Sequence, residues 1–125
     1  MKTKTIPAWP FGEKQVRILC PNCGRLHTHG QGDGQRSPHC EDYISGPKAY
    51  TLQTVPAPLP PEALEIDKQA RRIGTQLSDR LLRQGPADRG VIALYKKLAV
   101  LLKTVEKINL FYLPKAREER ESENN

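Results

Sequence analysis

Cys20-Pro21-Asn22-Cys23-Gly24, followed by His27, His29, His39 and Cys40, is the stretch on which the fold turns. Two cysteines separated by two residues share one tight turn, so both sulfurs can aim at a single point. With more soft ligands close behind, this is the sequence form of a small zinc site. Gly24 supplies the backbone freedom needed where the chain leaves the second cysteine. Zinc takes four ligands in a tetrahedron. Cys20 and Cys23 are the strong pair, and Cys40 is the third ligand because the chain has 3 cysteines. The fourth comes from His27, His29 or His39. A register argument favours His27. If His29 and Arg36 flank a hairpin turn, Arg25 faces Cys40, His27 faces Pro38, and positions 25, 27, 38 and 40 share one face. His29 then lies about 20 Å along the strand from Cys23, at roughly 3.3 Å per residue. A slip of one residue exchanges the faces, and His39 can share the metal with Cys40 if that strand ends in a turn. Both therefore stay open as alternatives.

Outward from this site the chain reads as a small zinc ribbon over residues 14–52. Val16-Arg17-Ile18-Leu19 enters the turn as a strand and Arg25 to His29 leaves it. Gly30 to Gly34 turns, Arg36 to Cys40 returns with Pro38 at an edge, and Ala49 to Leu52 adds a fourth strand. Residues 1–13 read as an N-terminal arm, since Pro7, Pro10 and Gly12 break a helix; Trp9 and Phe11 are expected to dock on the chain's own metal module. Residues 53–60, rich in proline, read as an extended, semi-rigid linker.

Residues 61–113 read as an antiparallel two-helix hairpin. The first helix spans Pro61 to Gln84, with proline in its first turn and Glu62, Glu65 and Asp67 near its positive end. Ile66, Ala70, Ile73, Leu77 and Leu81 form its apolar stripe. Gly85-Pro86 ends it and Asp88 caps the next. In the second helix Val91, Leu94, Leu98, Leu101, Val105, Ile108 and Tyr112 recur at spacings of three and four. Ile92, Ala99, Leu102 and Phe111 lie beside that seam, more apolar surface than one helix covers. The expected cover is a second copy, giving a homodimer through 61–113, or the metal module. Residues 114–125 read as a charged tail. The fold class is thus small α+β, an N-terminal zinc ribbon plus a C-terminal helical hairpin.

Composition sets the function classes. The 125 residues carry a formal net charge of +6, which biases towards phosphate-bearing partners. An odd cysteine count argues against a secreted disulfide framework. The N-terminus lacks the apolar run of a signal peptide, and no stretch approaches the roughly 20 apolar residues that span a bilayer. A cytoplasmic protein is expected.

The segment from Cys20 to Cys40, with its Cys-Pro-Asn-Cys-Gly turn, His27 and His29 two apart before Gly30, then Gly34, Arg36 and His39-Cys40, resembles zinc-ribbon-like modules of small uncharacterised phage and actinobacterial proteins. The resemblance implies a metal module and no activity. The usual zinc ribbon closes with a second Cys-x2-Cys, where this chain has His39-Cys40.

Two functions are open. The first is a zinc-binding accessory protein, phage-encoded if the resemblance extends to origin, that binds DNA or another nucleic acid without clear sequence-specific readout. One structural Zn2+ sits on Cys20, Cys23, His27 and Cys40, and Arg25, Arg36, Lys68, Arg71, Arg72, Lys96, Lys103 and Lys107 neutralise phosphates. The alternative is an adaptor or inhibitor docking on a larger protein through the apolar hairpin. An enzyme is not expected: no glycine-rich phosphate loop, hydrolase elbow or paired-carboxylate cluster is visible.

Overall fold

The computed structural model describes residues 3–37, 40 and 48–113. Lys4–Phe11, inside the expected arm, is strand β1, the centre of a five-stranded sheet. It is followed by β2 (Gln15–Leu19), β3 (Leu26–Gly30), β4 (Gly34–Arg36) and β5 (Tyr50–Thr54). Their spatial order is β3-β2-β1-β5-β4. Proline lacks the ladder donor and avoids central strands, yet β1 holds Pro7 and Pro10. It can do so because the strand changes partner midway. Lys4 to Ala8 pairs parallel with β5, and Trp9 to Phe11 pairs antiparallel with β2. Each half is in effect an edge on its other side.

The pairing of β3 differs from the expected hairpin. β3 pairs with β2, placing His27 opposite Ile18 and His29 opposite Val16, whereas β4 pairs with β5. β3 and β4 are the two edges of the sheet, yet only Gln31–Asp33 separates them. A link that short forces the sheet to curl until its edges approach. Arg36 secures the turn by donating to the carbonyls of Gly32 (3.0 Å), Gln35 (3.1 Å) and Gly30 (3.4 Å). The Thr54 N–H donates to Asp33 across the same corner. Inside the curl, His29 and the Tyr50 hydroxyl meet at 2.7 Å and join β3 to β5.

Strand alternation divides the apolar residues between two faces. Ile6, Ala8, Val16, Ile18, Tyr50 and Leu52 fill the curl together with Cys20, Cys23 and Cys40. Trp9 and Leu19 point the other way, against the helices α1 (Pro61–Gln84) and α2 (Arg89–Tyr112). Of the four residues beside the seam, Leu102 packs at the margin of the core shared with the sheet and Ala99 is half-buried, whereas Ile92 and Phe111 remain 43% and 52% exposed. Val55, Ala63, Ile66, Ala70, Leu101 and Val105 complete a core shared by sheet and hairpin, with Leu102, Ile108 and Tyr112 packed at its margin. Residues 53–60 are accordingly tied down: β5 runs to Thr54, and the Val55 N–H donates to the Ala8 carbonyl.

Each helix has 24 residues, about 36 Å at 1.5 Å per residue. Gly85, at φ +80°, ends α1, and the Asp88 side chain caps α2 by accepting from the Val91 N–H at 3.1 Å. Arg80 reaches across the connection to the same Asp88 carboxylate at 2.6 Å, holding it below the usual carboxylate range. At this end Leu77, Val91 and Leu94 form a separate apolar cluster of helix residues alone. The buried stripe of α2 runs through Val91, Leu94, Leu98, Leu101 and Val105 and then to Asn109, with Ile108 and Tyr112 only half-buried. A straight helix drifts off a seven-residue repeat in this way. Among the described residues no helix is long and apolar enough to cross a membrane.

Candidate metal centre

The β2–β3 connection is a knuckle. The Gly24 N–H donates to the Cys20 carbonyl at 2.8 Å, and the Cys20 N–H to the Arg25 carbonyl at 2.9 Å. These bonds bend the chain so that both sulfurs point into the curl. Asn22 sits buried at the apex. Its backbone N–H donates to the Cys20 sulfur at 3.3 Å, a contact that favours thiolate. Its side-chain amide brackets the backbone of Lys48, donating to the Lys48 carbonyl at 2.8 Å and accepting from the Lys48 N–H at 3.3 Å. The segment arriving at β5 is thereby fixed to the knuckle.

One ligand atom each from Cys20, Cys23, His27 and Cys40 lies within 4.8 Å of the other three. The Cys20 and Cys40 sulfurs are 3.6 Å apart, and the Cys23 sulfur is 3.2 Å from His27 Nε2. For a tetrahedral ion with sulfur at about 2.3 Å and nitrogen at about 2.0 Å, the edges are roughly 3.5–3.8 Å. These two edges lie near those values and the remaining ones are within 4.8 Å, so this donor set can hold one metal ion. The three cysteines are buried and His27 is half-buried.

Electrostatics in the cluster point the same way. Three thiolates this close repel, by about 4 kcal/mol per pair at 4 Å and an effective dielectric near 20. The protons are shared out unequally. Hydrogen bonds from Cys20 and Cys40 hold the Cys23 thiol far below its ordinary range. The hydrogen bonds with Cys23 and Cys40, with burial, push Cys20 far above it. Cys40 is lowered by its hydrogen bond with Cys20, but Cys23 and burial outweigh this and push it up to about 11. The nearby Arg25 favours its thiolate in smaller measure. A multivalent cation offsets that repulsion and lets all three ionise together. Burial, and then the charges of Cys20 and Cys40, also raise the Tyr50 hydroxyl.

The knuckle is built into the helical half as well. Gly24 has φ +78°, and a Cβ there would stand 3.1 Å from the Ala70 Cβ and 3.5 Å from Leu101. Asp67 of α1 accepts from the Leu26 N–H at 2.8 Å, and Asn109 of α2 donates to the Leu19 carbonyl at 3.1 Å. Sequence reading missed these three supports. Glycine after the second cysteine was legible as a turn residue, but its contact with Ala70 joins positions far apart in the chain.

The remaining candidates are placed as follows. His29 is buried beside Tyr50 and is not in the four-residue cluster; His39 lies outside the described residues. Arg36 binds the carbonyls of its own turn. Arg71 donates to Asp67 at 2.9 Å. Lys68, Arg72, Lys96, Lys103 and Lys107 are exposed and, among the described residues, have no carboxylate partner. Lys96, Lys103 and Lys107 fall on one ridge of α2, opposite its buried stripe, at spacings of seven and four. Compared with protein-family models, curated proteins and solved structures, the chain matches none.

Proposed function

We propose that this chain is a zinc-stapled accessory protein that binds nucleic acid through its phosphates and reads no base sequence. The observation that carries the metal half is the convergence of Cys20, Cys23, His27 and Cys40 on one point. Three soft sulfurs and an imidazole in a tetrahedral set suit zinc above the hard cations. Four protein ligands complete its shell, which is the mark of a structural rather than a catalytic ion. Three cysteines free of disulfides support the reading of a reducing compartment such as the cytoplasm.

The nucleic-acid half is supported by the ridge of Lys96, Lys103 and Lys107, exposed and without acidic partners among the described residues. α2 carries five basic residues (Arg89, Lys96, Lys97, Lys103, Lys107) against one acidic residue, Glu106. A protein partner on the hairpin is the alternative, favoured by Leu82, 89% exposed near the tip. The sheet covers Leu102, while Ile92 and Phe111 of α2 stay exposed and also fit that alternative. A homodimer through residues 61–113 is a further expectation, read from the solution mass.

Salt separates the readings. Nucleic-acid affinity should fall steeply between about 50 and 200 mM salt, and replacing Lys96, Lys103 and Lys107 by glutamine should flatten the log–log slope by about 2 to 3. No binding at the low-salt end would favour the protein partner.

A further inference from the structure

We propose that the end of the molecule where β1 and α2 finish is a stacking site for single-stranded nucleic acid, with Phe11 and Phe111 as its platforms. The inference rests on the phosphate-binding reading above and adds the class of strand.

The chain has two phenylalanines. Phenylalanine is among the residues most often buried, yet Phe11 is 42% exposed and Phe111 is 52% exposed. The interior uses Trp9 and Tyr50 instead. Phe11 shares the helix-facing side of β1 with Trp9, two residues before it. The Trp9 ring meets Tyr112 edge-on with centroids 5.9 Å apart, and Tyr112 meets Phe111 edge-on at 4.9 Å. The Trp9, Tyr112 and Phe111 rings thus gather at one end, and Phe11, two residues past Trp9 on the same face, finishes β1, with both phenylalanines reaching solvent.

Cations accompany both platforms. The Arg17 guanidinium lies over the Phe11 ring, 4.2 Å from its centroid. Lys107 precedes Phe111 by four residues, so the two are neighbours on one helical face. The ridge of Lys96, Lys103 and Lys107 therefore runs along α2 to an exposed ring. A track of cations beside aromatic faces is how single strands are held without sequence preference: the cations follow the backbone and bases stack on the rings. In a duplex the bases are already stacked and paired, so the rings offer it little.

The test uses the full-length metal-loaded chain and a labelled single strand of about 12 nucleotides, with the duplex of the same sequence as comparison. Phe11→Leu and Phe111→Leu keep an apolar side chain at exposed positions, and unchanged metal content and melting temperature would certify their fold. Each variant should weaken single-strand binding roughly 5- to 100-fold while leaving the salt slope in place, and Phe111→Trp should retain it. Single-strand binding unchanged in both leucine variants, or duplex binding at least as tight, would overturn the stacking site and leave the phosphate-binding reading standing. No binding of either strand at about 50 mM salt would remove both.

Discussion

At the scale of single residues, the behaviour of the centre follows from how three thiols divide their protons. Cys23 is held low by its neighbours' hydrogen bonds, whereas Cys20 is pushed high and Cys40 up to about 11. Near neutrality Cys23 is thus the ready thiolate, and Cys20 and Cys40 each keep a proton that the metal must displace. The sign is direct: lowering the pH restores competition by those two protons and weakens the metal. Zinc binding should release protons from the cysteines, and the apparent Kd should rise as the pH falls from about 8 to 7. A weakly buffered titration with an indicator dye reads the proton count. A value near zero would mean that the thiols are not the ligands.

At the scale of elements, the knuckle is the joint between the strands and the helices. Gly24 combines a positive φ with a close approach to Ala70 and Leu101, so Gly24→Ala meets both a backbone penalty and a steric one. It should cost about 1–3 kcal/mol in a urea melt of the metal-loaded protein; a cost below about 0.5 kcal/mol, the range of a neutral surface change, would show that the knuckle is not seated between the helices. The legibility of the elements divides along similar lines. α1 could be read end to end because its signals are local: Pro61 at the start, Gly85 at the stop, and an apolar stripe between. β1 could not, because Pro7 and Pro10 speak against a central strand and its parallel partner β5 lies far along the chain. His27 illustrates a mixed case. The hairpin argument placed it across from Pro38, whereas the strand that pairs with it is β2. It reaches the cluster in either arrangement because it stands only four residues past Cys23, on the strand that leaves the turn. Among the nominated cations, Arg36 carried no sequence sign that carbonyls of its own turn would engage it, whereas Asp67, four residues before Arg71 on the same helix, was a legible partner.

At the scale of the whole molecule, the sheet and the hairpin stand or fall together. Trp9, Leu19 and Val55 share one core with Ala63, Ile66, Ala70, Leu101 and Val105, and the metal ligands lie in the second core, inside the curl. A curled sheet of short strands buries too little to be secure alone, and small folds commonly need a metal or another staple. Loss of the ion should therefore loosen the strands and, through the shared core, the helices as well. The most direct measurement is far-ultraviolet circular dichroism followed through a thermal melt, before and after chelation of a protein whose zinc content has been counted. The expected result is one zinc per chain, a single transition in the loaded protein, and a lower helical signal and melting temperature once the ion is removed. A chain that carries no zinc, or a chelated chain whose spectrum and melting temperature match the loaded one, would contradict it.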